Sequence, residues 1–84
     1  MDKLDYALLD FLLNTYEATT KMRSATRKVI TSAVGVNEVK ASTIYRRITR
    51  LISEGYVNKG IVEVREHTYF ITDNGIKALE EALK

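Results

Sequence analysis

The stretch Ser42-Thr43-Ile44-Tyr45-Arg46-Arg47-Ile48-Thr49-Arg50-Leu51-Ile52-Ser53-Glu54-Gly55-Tyr56-Val57 decides how this 84-residue chain is read. Its apolar side chains fall at Ile44, Ile48, Leu51 and Ile52, the spacing of one helical face. At about 100° per residue the opposite face carries Ser42, Arg46, Thr49 and Ser53, with Thr43 and Arg50 beside it. Such a helix anchors to a small core by one stripe and presents donors on the other. An arginine can donate two hydrogen bonds to a guanine edge and hydroxyls adapt to several bases, so this is the surface a major-groove reader requires. Gly55 is placed to end the helix in a left-handed cap. Tyr56-Val57 then opens an element of different period.

The charge distribution agrees with that surface. Residues 20–50 hold Lys21, Arg23, Arg27, Lys28, Lys40, Arg46, Arg47 and Arg50 against Glu38 alone, a net +7. The segments on either side are both net acidic, and the whole chain is only +2. A basic middle between acidic ends implies one face of positive potential suited to a polyanion. The chain contains no cysteine, which excludes a disulfide framework and thiolate metal sites. No apolar run approaches the ~20 residues of a membrane span and no signal peptide is visible, so the expected location is the cytoplasm. The length is that of one domain, residues 1–84, with a stability of roughly 4–13 kcal/mol.

Outward from the central helix, the spacing predicts four more elements. A first helix runs from about Lys3 to Ala18, with Asp2 as N-cap and Asp5 in its first turn. Leu4, Leu8, Phe11 and Leu12 form one stripe, which Leu9, Leu13 and Tyr16 widen past half the circumference. That helix is either the pillar of the core or partly a subunit contact. A second helix runs from about Ser24 to Val34 and ends at Gly35. The central helix follows from Asn37 or from Lys40, the later start being preferred because Glu38 and Val39 add little to a groove-facing surface. Val57 to Val64 and Thr68 to Ile71 are β-branched and aromatic, and Arg65, Glu66 and His67 suit the tip of a hairpin. Thr72 can cap a last helix carrying Ile76, Leu79 and Leu83, with Asn74-Gly75 inside its first turn. Three helices, a hairpin and a further helix make a mainly α, α+β architecture, the winged helix-turn-helix.

At Ser42-Thr43-Ile44-Tyr45-Arg46-Arg47-Ile48 and Leu51-Ile52-Ser53-Glu54-Gly55-Tyr56-Val57 the chain resembles winged-helix regulators of the PadR and MarR type. Thr68-Tyr69-Phe70-Ile71-Thr72-Asp73-Asn74-Gly75 and Ala78-Leu79 extend the resemblance through the wing into the last helix. It covers roughly residues 41–83, and Thr43-Ile44-Tyr45 leans toward PadR. The segment that PadR proteins often carry between their first two helices is absent. The resemblance implies a homodimer on a palindromic operator, with the wing on backbone or minor groove.

The expected activity is sequence-specific binding of double-stranded DNA by a transcriptional regulator, a repressor, with helix 41–54 in the major groove and hairpin 57–71 as the wing. Arg46 and Arg50 are the expected base or phosphate contacts, with Ser42, Thr43 and Thr49 as shorter contacts beside them. Tyr45 either packs under the wing or touches DNA, and Arg47, at the other edge, can pair with an acid instead. Lys21, Arg23, Arg27, Lys28 and Lys40 are candidates for phosphate, as are Lys59 and Arg65 on the wing. Self-association is expected through the first and last helices, by way of Leu79 and Leu83. No nucleophile–base–acid set, phosphate loop, cofactor fingerprint or metal cluster appears around the lone His67, so no enzyme, cofactor or metal is expected. Two alternatives stand beside the regulator: a winged-helix protein-interaction module, and a DNA-binding protein of plasmid or viral replication or partition.

Overall fold

Asp2 and Asp5 start the fold by capping one another. Asp5 N–H donates to Asp2 Oδ1 and Asp2 N–H to Asp5 Oδ2, each at 3.1 Å, satisfying two orphan donors of helix α1, Lys3–Asp10. The computed structural model describes residues 1–34, 39–63 and 66–83, with Glu63 described by its backbone alone. Helix α1 continues as a π-helical turn over Phe11–Thr15, in which Tyr16 N–H reaches the Phe11 carbonyl at 2.9 Å. Glu17 then takes φ +55°, a left-handed conformation that side chains disfavour by about 1–2 kcal/mol. The helix therefore stops short of Ala18. That residue is buried and accepts a hydrogen bond from Ile71 N–H at 2.8 Å, so the chain turns back along the sheet.

The sheet has three antiparallel strands in the order β1 (Ala25–Thr26), β3 (Glu66–Ile71), β2 (Val57–Glu63). β1 corrects the expectation of a helix from Ser24. Ala25 and Thr26 pair with Tyr69 and Thr68, so helix α2 spans Arg27–Val34. Two residues, too short a run to signal a strand alone, were recruited by an edge that their own sequence does not contain. Glu66 and His67 likewise belong to β3 rather than to the hairpin tip, because Val62 pairs with His67 and Glu63 with Glu66. A bulge between Lys59 and Val62 shifts the register. A half-buried hydroxyl relay lies beside it: Ser24 Oγ donates to Thr68 Oγ1 at 2.7 Å, and Thr68 Oγ1 donates to the Ile61 carbonyl.

Helix α3 spans Ala41–Ser53 with Lys40 at its N-cap, the later of the two expected starts. Gly55 has φ +85°, as the expected cap requires. Thr72 caps helix α4, Asp73–Ala82, by accepting from Gly75 N–H at 3.1 Å, while its hydroxyl donates to the Gly55 carbonyl at 2.6 Å. The end of α3 and the start of α4 are thereby tied together. Gly75 fits there because a Cβ would meet the Tyr56 carbonyl. Gly35, Val36 and Asn37, to which the sequence assigns a helix end, a connection and a possible cap, lie outside the described residues.

One core joins these elements. Leu8, Leu9 and Leu12 of the first helix pack with Ile30, Ile44, Ile48, Leu51, Val57, Ile71 and Leu79. Each such side chain contributes about 1.5–3 kcal/mol by leaving water. The first helix is thus the pillar, and most of its wide apolar surface is consumed within the chain. Leu79 is 3% exposed, which removes it as a subunit contact, whereas Leu83 remains 74% exposed.

A candidate nucleic-acid interface on helix α3

Ile44, Ile48 and Leu51 bury one face of α3, and the opposite face stays in solvent with Ser42, Arg46, Thr49 and Ser53 exposed. Two flanking contacts fix the rotation of the helix about its axis. On one flank the Arg27 guanidinium lies over the Tyr45 ring, 4.9 Å from its centroid. Arg27 and Tyr45 line a small notch with Glu66, His67 and Tyr69. Tyr69 is buried, and that burial, reinforced by Tyr45 alongside, pushes its phenol above the ordinary value of 10.0. Tyr45 borders this notch on the α2 side while staying 43% exposed, so the Arg27 contact leaves part of the ring open beside the outward face.

On the other flank Arg47 and Arg50 meet the carboxylates of α1. Arg47 binds Asp2 and lies 3.4 Å from Asp5 Oδ1, and Arg50 binds Asp5 Oδ2. Arg50 Nε is also 3.8 Å from Glu54 Oε1. The hydrogen bond from Arg47, helped by the one from the Asp5 backbone, holds the Asp2 carboxyl down at about 2 from an ordinary 3.8. Asp5 is wholly buried, a position that a carboxylate tolerates only when paired and hydrogen-bonded. The expectation that Arg47 pairs with an acid is met. Arg50, expected beside Arg46 on the reading edge, is tied to the same acid.

What remains between the flanks is narrower than the sequence pattern. Arg46 makes no ion pair among the described residues, and Ser42 and Thr43 make no side-chain hydrogen bond among them. Thr49 Oγ1 donates to the Tyr45 carbonyl at 2.9 Å, which leaves it only as an acceptor and a methyl group. Lys40, at the N-cap, is exposed.

Other basic candidates are also partly engaged. Arg23 pairs with Glu17 at 2.8 Å, both in solvent. Lys28 is exposed, but its backbone N–H donates to Glu66 Oε1 at 3.3 Å. Lys21 and Lys59 are exposed on the loop before β1 and on β2. Arg65 lies outside the described residues. The acidic ends of the chain therefore fold onto its basic middle, and the +7 segment does not act as an undiluted positive face. Sequence reasoning missed Asp2 and Asp5 as partners of α3. The mutual cap was visible as Asp-x-x-Asp, but nothing in the spacing announced arginines more than 40 residues away.

The four helices, with α2 and α3 in contact, and the β2–β3 hairpin as wing define a winged helix-turn-helix fold. No protein-family model matches the chain. It is 28% identical over 83 residues to the DNA-binding protein TubR of a Clostridium botulinum C phage, covering 99% of this chain and 98% of that protein. Its fold is similar to TubR from Bacillus megaterium pBM400, with a TM-score of 0.82 at 17% identity over 99% of this chain and 87% of that one. The DNA-binding TubR fragment from Clostridium botulinum gives 0.71 at 26% identity, over 98% and 96%. SSV1 F-93 gives 0.69 at 18%, over 99% and 88%. These relatives support the winged-helix fold that the PadR and MarR resemblance implied; the proteins themselves are of other names. Among the described residues no group of three or more His, Cys, Asp or Glu could hold a metal, and no helix is long and apolar enough to cross a membrane.

Proposed function

We propose that this chain is a DNA-binding protein, not an enzyme, which inserts α3 into the major groove of duplex DNA. Its role would be maintenance of a plasmid or phage, in partition or replication, rather than general repression. The observation that carries the reading is the exposed face of α3, Ser42, Arg46 and Thr49 with half-buried Thr43 beside it, held outward by a clamp on each flank. Arg46 serves as the base-reading donor and the hydroxyl residues as short contacts near the helix start, where recognition helices approach base edges. Lys21, Arg27, Lys28, Lys40 and Lys59 supply phosphate contacts, with Arg23 and Arg65 as further basic side chains on the loop and the wing. Similarity to a phage DNA-binding protein supports DNA as the target and favours the plasmid or phage role.

The active form we propose is a homodimer whose half-sites lie about one helical turn, ~34 Å, apart. Because Leu79 is spent in the core, the contact on the last helix falls to Leu83, with help from exposed Tyr16 at the end of the first. Selection of bound fragments from random duplexes tests the reading. Recovery of a repeated or palindromic site supports it, and no detectable binding at about 50 mM salt, where even non-specific contacts register, overturns it. Partition and repression separate in cells: deletion should raise loss of the carrying element without derepressing a reporter.

A further inference from the structure

Asp5 is a fully buried carboxylate that the proposed DNA contacts do not use. It lies on α1, yet its partners are on α3: Oδ2 takes Arg50 and Oδ1 faces Arg47, while Asp2 takes Arg47 from outside. A capping box needs neither arginine, since its two bonds are local. The carboxylate is buried while Arg47 and Arg50 stay partly exposed. Removing one partner of such a pair is costly, but well-packed apolar residues in place of the whole pair are often as stable, so the pair is weak evidence for a purely stabilising role. Its formal charge adds a second constraint. Asp2, Asp5 and Glu54 against Arg47 and Arg50 leave the C-terminal half of α3 with a net charge of −1, on a helix whose N-terminal half carries Lys40 and Arg46.

We infer that Asp5, with Asp2, is a positioning and specificity-determining residue of the DNA site. It withholds Arg47 and Arg50 from phosphate and confines contact to the N-terminal half of α3. The inference rests on the proposed DNA binding and deepens it. An arginine free to swing onto phosphate adds affinity for every sequence alike, because phosphate contacts carry no sequence information. Two arginines pinned to carboxylates add none. Arg46 is then the one α3 arginine left to discriminate bases among the described residues. The carboxylates also repel any backbone that approaches the far end of the helix, which sets the register of the docked duplex.

Salt titrations of binding to a mixed-sequence duplex, and to the duplex that the wild type selects, test this with Asp5→Asn. Each arginine released to phosphate steepens the log–log salt slope by about 0.9, so affinity should fall about 3.5-fold further between ~50 and ~200 mM salt. The variant should bind the mixed duplex more tightly at low salt, discriminate less between the two duplexes, and regain the wild-type slope when Arg50→Gln is added. A purely structural Asp5 predicts parallel weakening on both duplexes with an unchanged slope, and that result overturns the inference. Should Asp5→Asn fail to fold, Arg50→Gln alone decides: an unchanged wild-type slope supports the withheld arginine, and a slope shallower by about 0.9 refutes it. Wild-type protein that binds neither duplex removes the DNA-binding reading itself, and the inference with it.

Discussion

The Arg27 guanidinium sits 4.9 Å from the centroid of the Tyr45 ring, joining the first residue of α2 to the flank of α3. An exposed cation–π pair contributes about 0.5–1 kcal/mol. A double-mutant cycle with Arg27→Ala and Tyr45→Ala, read from urea denaturation, should give a coupling of that size. Tyr45→Phe keeps the ring and should preserve most of it. A coupling near zero would mean that the clamp on this flank is geometric only.

Arg46→Ala should leave the urea midpoint unchanged, because Arg46 is exposed and makes no ion pair among the described residues. It should cost about 1–3 kcal/mol in binding to the selected duplex and relax preference at one base position. Lys21→Ala or Lys28→Ala should instead weaken all sequences alike and reduce the salt slope by about 0.9. Fluorescence anisotropy on base-substituted duplexes separates the two behaviours.

Gly75→Ala should destabilise by about 1–3 kcal/mol, the usual cost of forcing an atom into a packed site, since its Cβ would meet the Tyr56 carbonyl and the Ile71 side chain. Gly55→Ala should cost about 1–2 kcal/mol for a different reason, because its φ of +85° is strained for any side chain although space is available. Chemical denaturation of both variants should show this order or near equality. A neutral Gly75→Ala would contradict the close approach of α4 to Tyr56.

The depressed Asp2 carboxyl has a consequence at acid pH. Its folded value of about 2 is below the ordinary 3.8, so its contribution is complete above the unfolded value and is lost as pH falls through the folded one. Asp2→Asn should therefore flatten the acid limb of stability between about pH 5 and pH 2 while changing little at neutral pH beyond a constant offset. Thermal melts of both proteins across that range make the comparison. An identical acid limb in the variant would show that the Arg47–Asp2 pair does not persist in solution.

Leu83→Glu addresses self-association. Leu83 is 74% exposed and outside the core, so the folded chain should tolerate the change within about 0.5 kcal/mol. If α4 contributes to the dimer, sedimentation should shift toward the monomer and binding to a two-half-site duplex should weaken. An unaltered sedimentation profile would exclude Leu83 from the contact.

Much of the fold was legible because its signals are local. The caps at Asp2 and Thr72, the left-handed Gly55, the amphipathic period of 41–53 and the β-branched run after it each act within a few residues of themselves. The candidate site was half legible. Helical periodicity put Ser42, Arg46 and Thr49 on one outward face, and the structure keeps them there. The partners of that face were not legible. Arg50 has the same spacing relative to the apolar stripe whether it faces solvent or Asp5, and only the packing of α1 against α3 decides between them.

By itself, then, the order of residues determined which segments are mainly helical, where α3 ends, and which side of α3 is greasy, since short-range sterics, capping and periodicity need no distant partner. The tertiary structure alone decided the rest. It recruited Ala25 and Thr26 into the sheet by offering them the edge of β3, and turned the first helix aside at Glu17. It seated Leu79 in the core and brought Asp2 and Asp5 against Arg47 and Arg50. Each of these contacts depends on chain segments far apart in sequence, which meet only once the apolar faces have chosen how to pack.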